Sequence, residues 1–386
     1  MPRFARLQRF FLIVSLAAVL GLPLLVGQHK VRTAPSIPAG IEHIHQRNGE
    51  IPWSIHIIRI DRASKDIRFA STVSGGRILG LGTVSEQAEA VNQDGWTPVA
   101  AINGDFFRIE NGPYQGDMLG LQITSGTLIS SPSNAAFWIG RDGAPRIGFV
   151  TTKIQVAIPG DETTSATTIT AGLNGPRVDG RAVLYTTEFG DTTRTDDDGI
   201  ELVLVPEAGG PAAPLTVSSR ADLRIAKIHE DGDNDIRPGT MVLSIQEDLA
   251  DKLPALDKKM VLHMTVKSDP DLTGVATAIG GGPILVRRGK VNPDAGQAVR
   301  HPRTAIGYNG KSIFLVVVDG RQSSLSVGMT MPELAQFMAD LGATEALNMD
   351  GGGSSELWLG GQVVNSPSEG HERAVANALV VLSRKK

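Results

Sequence analysis

Apolar residues in this chain fall mostly in short runs broken by Gly, Pro, Asn and Asp, the pattern of strands joined by turns. Ser54-Ile55-His56-Ile57-Ile58-Arg59-Ile60-Asp61 alternates roughly and is rich in β-branched residues, which predicts a strand. Pro98 to Ile102 predicts a short buried strand that stops at Asn103-Gly104-Asp105-Phe106-Phe107. Ile313 to Val318 is apolar at every position, predicting a strand buried on both faces and ending at Asp319-Gly320-Arg321. Val261 to Val266, Ile284 to Val286 and Ala376 to Leu382 read as further strands, and Ile279 to Pro283 as a Gly-rich turn. The Gly360-Gly361 pair predicts a tight hairpin between Ser355–Leu359 and Gln362–Val364.

Two segments carry helix start signals. Thr83 or Ser85 opens Val84 to Asp94, with Glu86 and Glu89 in the first turns, and Thr330 caps Met331 to Leu341, with Pro332 and Glu333 behind it and Gly342 beyond its end. Residues 140 to 270 alternate short strand candidates with polar turns, among them Asp196-Asp197-Asp198-Gly199 and the Ala/Gly/Pro loop from Pro206 to Pro214. No internal period is visible, which argues against solenoids and propellers. Many strands and few helices predict an α+β fold: one mixed domain dominated by β-sheet over residues 34–386, with a motif-bearing core at about 95–384.

The start of the chain differs. Arg3, Arg6 and Arg9 precede an apolar run from Phe10 to Gly27, and His29, Lys30 and Arg32 follow it. A basic start before an apolar run predicts a signal peptide or membrane anchor with linker over residues 1–33. The expected location is therefore periplasmic or extracellular, with membrane contact through residues 10–27 if the segment stays uncleaved. Absence of cysteine from all 386 residues excludes disulfides, thiolate catalysis and Cys-ligated metal sites. A net charge of -4 leaves no electrostatic footprint for nucleic acid.

Three places share one design, an apolar strand delivering a polar residue beside glycine: Asn103-Gly104-Asp105, Asp319-Gly320, and Asn348-Met349-Asp350-Gly351-Gly352-Gly353-Ser354-Ser355. Gly280-Gly281-Gly282-Pro283 has the glycines without the acid. Glycine lets a ligand approach the backbone and leaves N–H groups free for anionic oxygens. No Lys follows Gly353 at the spacing of a phosphate loop, so a nucleotide site of that kind is rejected. Asp231-Gly232-Asp233-Asn234-Asp235 lacks the sixth-position Gly and distal Glu of a calcium loop. No cofactor is called for; a divalent cation, calcium or magnesium, has no motif to support it, and no metal ligands are assigned.

With His301-Pro302-Arg303-Thr304-Ala305-Ile306-Gly307, Asn365-Ser366-Pro367-Ser368 and Arg373, these motifs resemble in content and order the phosphodiester glycosidase family, over roughly residues 50 to 384. Leu184-Tyr185-Thr186 to Thr192-Thr193-Arg194-Thr195 also resembles bacterial members. Asp105 and Met349 depart from the pattern, in which many relatives have Gly and Leu at those positions. The resemblance implies an exported hydrolase that cuts between a sugar's anomeric carbon and a phosphodiester oxygen, of the N-acetylhexosamine-1-phosphodiester type, with a sugar-phosphate-containing glycan or polymer as partner. It implies Asp350 as nucleophile or base, with Asp105, Asp319 or Glu372 as second carboxylate and His301 in reserve. Arg303 and Arg373 are the implied phosphate-binding cations. Asn103 and Ser354 would orient substrate hydroxyls, beside Gly104, Gly281, Gly282, Asn348, Gly351, Gly352 and Gly353 on the substrate-facing wall. Two alternatives stay open: a non-catalytic glycan-binding envelope protein, and an exopolysaccharide-processing glycosidase acting on ordinary glycosidic bonds.

Overall fold

A computed structural model describes residues 37–131, 135–160, 165–178, 180–296 and 298–385. The expected export segment lies outside these residues. Among the described residues the fold is strand-dominated α+β, and no helix is long and apolar enough to cross a membrane.

The largest open sheet has seven strands, in the order Ile41–Asn48, Trp53–Asp61, Ser312–Val318, Arg303–Tyr308, Glu345–Asn348, Ile284–Arg287 and Lys290–Val291. Every pairing in it is antiparallel. Ser312–Val318 sits well inside it, which explains its unbroken apolar run. Ile313, Leu315 and Val317 enter the core shared with the neighbouring sheets, whereas Phe314, Val316 and Val318 pack with the helix Met331–Asp340. That helix starts where expected. The Thr330 hydroxyl accepts from Glu333 N–H and the Glu333 carboxylate accepts from Thr330 N–H, a reciprocal cap worth about 1 kcal/mol. The first helix has the same box from Thr83 and Glu86, but ends at Ala90, short of the expected Asp94.

A five-stranded sheet carries Trp96–Asn103 between Leu357–Leu359 and Asn377–Arg384. A second runs Thr127–Ser130, Gln122–Thr124, Thr277–Gly281, Ala135–Ile139, Pro145–Phe149. Here the sequence expectation needs correcting: Gly280 and Gly281 are strand residues, not a turn. Gly281 pairs with Ala135 across the sheet. Glycine is needed for close packing, because a Cβ on Gly280 would lie 2.2 Å from Asp105 Oδ2.

The 140–270 region closes into a seven-stranded barrel, whose neighbours run Thr167–Leu173, Ala182–Tyr185, Met241–Gln246, Gly199–Pro206, Arg220–His229, Val261–Asp269 and Thr151–Ile158. Ile154, Val156, Leu184, Leu202, Leu243 and Leu262 belong to its apolar core. Closure removes the exposed edges that isolated short strands would present.

Candidate active site

Antiparallel pairing explains why distant motifs meet. Arg303 pairs with Val318, and Ala305 pairs with Asn348, so the start of the central strand lies between the ends of its two neighbours. His301-Pro302, Asp319 and Asp350 therefore emerge at one end of the sheet. Trp96–Asn103 delivers the fourth group from the adjoining sheet, and its Gly104 carbonyl accepts from Asp350 N–H at 3.0 Å.

Asn103 is the knot of this junction. It is fully buried. Its Nδ2 donates to the Asp350 carbonyl at 2.7 Å, and its Oδ1 accepts from Thr304 Oγ1 at 2.7 Å and Glu356 N–H at 3.1 Å. Asn103, expected to orient substrate hydroxyls, here bonds protein groups and holds the Asp350 backbone.

Asp350 is partly exposed and sits where the glycines begin. Burial pushes its carboxyl above the ordinary range, while the nearby Ser354 hydroxyl, the Gly351 N–H at 2.8 Å and Arg373 pull it back. Asp105 lies behind it, only 2% exposed, with Oδ2 wedged against Gly120 and Gly280 and lacking any hydrogen-bond partner. Burial raises Asp105 to about 7, with the Asp350 charge adding to the effect and the Phe106 N–H and, at longer range, the Gly120 N–H opposing it. The Asp350 charge adds to burial in disfavouring ionisation of Asp105. Asp105 thus acts on Asp350 and is too enclosed to meet a substrate itself. Its own placement depends on Asn377, whose Oδ1 accepts from Asp105 N–H at 2.8 Å.

The other expected carboxylates hold loops. Asp319 is 1% exposed; its Oδ1 accepts from Ser366 N–H at 2.8 Å and Asn365 Nδ2 at 3.1 Å, fastening the 365–366 segment. Burial raises it, and its Oδ2 lies 3.7 Å from His56 Nε2. Glu372 accepts from Ser85 Oγ at 2.8 Å and Ser85 N–H at 3.3 Å, at the start of the first helix. Burial pushes Glu372 up, but hydrogen bonds from Glu356, Ser85 and Thr83 outweigh it and hold its carboxyl low. Its partner Glu356, buried and driven up to about 10 by burial and by Glu372, is the neutral member of that pair. Both expected second carboxylates, Asp319 and Glu372, thus hold loop segments in this structure.

The cations divide in the same way. Arg303, 5% exposed, donates Nε to the Met329 carbonyl and Nη2 to the Val299 carbonyl, both at 2.8 Å. Burial and the nearby Arg321 hold its guanidinium below the usual range, and it braces the loop rather than facing a ligand. That corrects its expected role. Arg373 lies over Gly353, where a Cβ would come within 2.2 Å of Nη2, and is paired with Glu369. Exposed Arg321, absent from the expected set, lies over Gly352, where a Cβ would come within 2.9 Å of its Nη2. Its Nη2 is also 3.3 Å from His301 Nδ1. Burial, Arg303 and Arg321 keep His301 below its usual range. The glycines at 351–353 are therefore flanked by two guanidinium groups that side chains would displace. Gly352, at φ 64°, also needs glycine for its backbone.

Behind this wall, Asn348 Nδ2 donates to the Gly282 carbonyl at 2.8 Å and Gly282 N–H to the Asn348 carbonyl at 2.7 Å. Gly281 lies against the same carbonyl, and Gly104 against Asn377. Several buried polar atoms here have no partner among the described residues: Asp105 Oδ2, Asp319 Oδ2, Asn348 Oδ1, Ser354 Oγ, Ser355 Oγ and Glu356 Oε1. Buried polar atoms are nearly always paired with protein or with ordered water, so this junction offers several free polar atoms for such partners. Arg321 was foreshadowed by its place after Asp319-Gly320; Gly120 and Glu356 carry no local signal, since only the crossing of separate strands gives them neighbours.

The site thus joins a partly exposed carboxylate, an enclosed second acid, and a glycine wall flanked by two arginines. Residues 228–382 match the model of the phosphodiester glycosidase family. The match includes Asp319, Asp350 and Arg373, while Asp105 precedes it.

The chain is 38% identical over 84 residues to the SPbeta prophage-derived uncharacterized protein YomE of Bacillus subtilis, an overlap covering 22% of this chain and 13% of that relative. Among solved structures, a hypothetical protein from Synechocystis has the same fold, with a TM-score of 0.67 at 21% identity, covering 89% of this chain and 62% of the other. A Burkholderia pseudomallei protein described as a candidate exported protein gives a TM-score of 0.65 at 25% identity, covering 85% and 74%. The zebrafish N-acetylglucosamine-1-phosphodiester alpha-N-acetylglucosaminidase catalytic domain, auto-inhibited by its pro-peptide, gives a TM-score of 0.44 at 16% identity, covering 90% and 82%.

Proposed function

We propose that this chain is an exported hydrolase that cleaves the bond between the anomeric carbon of an N-acetylhexosamine and a phosphodiester oxygen in envelope or extracellular glycans. Residues 34–386 act as one phosphodiester glycosidase domain, and residues 1–33 direct export. The observation that carries the reading is the position of Asp350: partly exposed, backed by Asp105, and followed by glycines whose backbone lies under Arg321 and Arg373.

The scissile bond places a ring that gains positive charge next to a phosphate that gains negative charge. Asp350 meets the first as nucleophile or as base for water. Arg321, Arg373 and the N–H groups of the glycine turn meet the second. A phosphate departs more readily than an alcohol, so strong acid assistance is not required of the protein. Asp105 holds the proton of the pair and keeps Asp350 as the charged partner. His301 sets the position of Arg321.

The full chain is expected to release N-acetylhexosamine from an N-acetylhexosamine-1-phosphodiester, and Asp350→Ala to abolish release while the protein stays folded. Unchanged turnover in that variant sinks the assignment. Repeating the assay with chelator decides whether a divalent cation takes part. Retained ligand binding without turnover in the wild type would instead support the binding-protein reading, and activity confined to p-nitrophenyl glycosides the exopolysaccharide one.

A further inference from the structure

A cavity of about 850 Å³ opens beside the acid pair, of a size that holds small ligands elsewhere. It starts at Phe106, the residue after Asp105, and at Gly282-Pro283, whose glycine is locked to Asn348 two positions before Asp350. Its floor follows one line across a sheet: Gly281 pairs with Ala135, and Ala135 pairs with Phe149. Two interstrand steps put Phe149 roughly 10 Å from the Gly281 backbone. Phe149 is 69% exposed, the most exposed large apolar side chain among the described residues, and it lines this cavity.

The outer wall is the hairpin joining Ile284–Arg287 to Lys290–Val291. Arg287 and Lys290 face each other in register there, and both line the cavity. Two like charges directly opposite in a hairpin oppose folding. Neither makes a side-chain ion pair within 4 Å among the described residues, although Arg287 also pairs in register with Glu345 on the next strand, whose carboxylate accepts from Arg288 N–H at 2.9 Å. Asp294 also lines the cavity and disfavours an anion on its own side.

We infer that this groove is a second subsite, which takes the neighbouring repeat of a poly(glycosyl phosphate): Phe149 stacks on a sugar ring, and Arg287 with Lys290 holds the next phosphate. The inference deepens the proposed function and rests on it for the identity of the polymer. It makes the substrate a chain of phosphate-linked sugars rather than a single capped sugar.

The test uses the full chain and two compounds, a methyl diester of N-acetylhexosamine-1-phosphate and an oligomer of four phosphate-linked repeats. Phe149→Ala and the Arg287→Ser/Lys290→Ser double variant are expected to raise KM for the oligomer about tenfold and leave kcat/KM for the methyl diester unchanged. Equal changes on both compounds, or none on either, overturn the subsite. Calorimetric titration of the oligomer into each protein reads binding directly, so the result does not depend on turnover. If the wild type cleaves neither compound, yet the variants bind the oligomer tenfold more weakly, hydrolysis fails and the subsite stands. Absence of oligomer binding by the wild type overturns the subsite. So does a neutral N-acetylglucosamine oligomer that binds as tightly as the phosphorylated one. Loss of binding to anionic phospholipid vesicles in the variants, with oligomer binding intact, would assign the groove to a lipid and overturn it too.

Discussion

Two buried carboxylates, one in the barrel and one beneath the glycine turn, have nearly the same exposure and opposite surroundings. Glu201 in the barrel is 0% exposed and accepts from Thr193 Oγ1, Thr195 Oγ1, Asn234 N–H and Asn234 Nδ2, at 2.9 to 3.2 Å. Asp105 is 2% exposed, yet one oxygen has no hydrogen-bond partner and a second acid stands nearby. A satisfied buried charge holds two turns together. An unsatisfied one stores a proton preference, because burial penalises its charged form and nothing repays it. The Thr193-Arg194-Thr195 motif belongs to the first kind: its hydroxyls hold Glu201, while Arg194 Nη1 and its carbonyl bond the Pro113 carbonyl and the Tyr114 hydroxyl.

Removing the exposed member of the acid pair should do the most damage to activity and little to folding. Asp350→Asn is expected to lower kcat by about 10³-fold, within the range of acid–base groups, with an unchanged melting temperature. Steady-state kinetics and calorimetry of the same sample check both halves. Glu201→Ala should do the reverse, costing about 3 kcal/mol by removing the shared acceptor of four donors while kcat is retained, as read by denaturant unfolding and assay.

Asp105→Asn sharpens the contrast through pH. Its folded value of about 7 lies above the ordinary 3.8, so between those values the folded state holds a proton that the unfolded chain has lost. Stability contributed by that proton is complete below about 4 and is lost as pH rises through about 7. Unfolding free energy in the wild type should fall over this window, and kcat/KM should decline above about 7. The Asn variant should flatten both; a descending limb that survives the substitution rules out Asp105 as its source. The smallest effect separates the arginines. Arg321→Ala is expected to raise KM about 30-fold, equivalent to the ~2 kcal/mol of a charged hydrogen bond, with stability unchanged. Arg303→Ala should lower the melting temperature first, since its bonds are to the Met329 and Val299 carbonyls.

Much of this protein is legible along the chain, because local rules decide it. The apolar run at 313–318 needs a strand covered on both faces, and Thr330 with Glu333 needs a helix start whatever surrounds them. The acid–glycine turns were visible as well, since only glycine tolerates such approach beside a strand end. What the residues do to one another was not legible. Asn103 reads as a substrate ligand until Thr304, Asp350 and Glu356 are seen to use up its amide, and Arg303 reads as a phosphate clamp until two carbonyls claim it. Gly280 reads as a turn until the Asp105 carboxylate is found against it. Hydrogen-bond satisfaction and proton affinity depend on neighbours that the fold supplies, 4 and 26 residues away for Arg303 and at least 201 for Asn103. The sequence alone determined which polar residues stand beside glycine and at which strand ends; only the crossing of the sheets decided that Asp350 stays partly exposed, that Asp105 is buried against Gly120 and Gly280, and that Arg321 lies over Gly352.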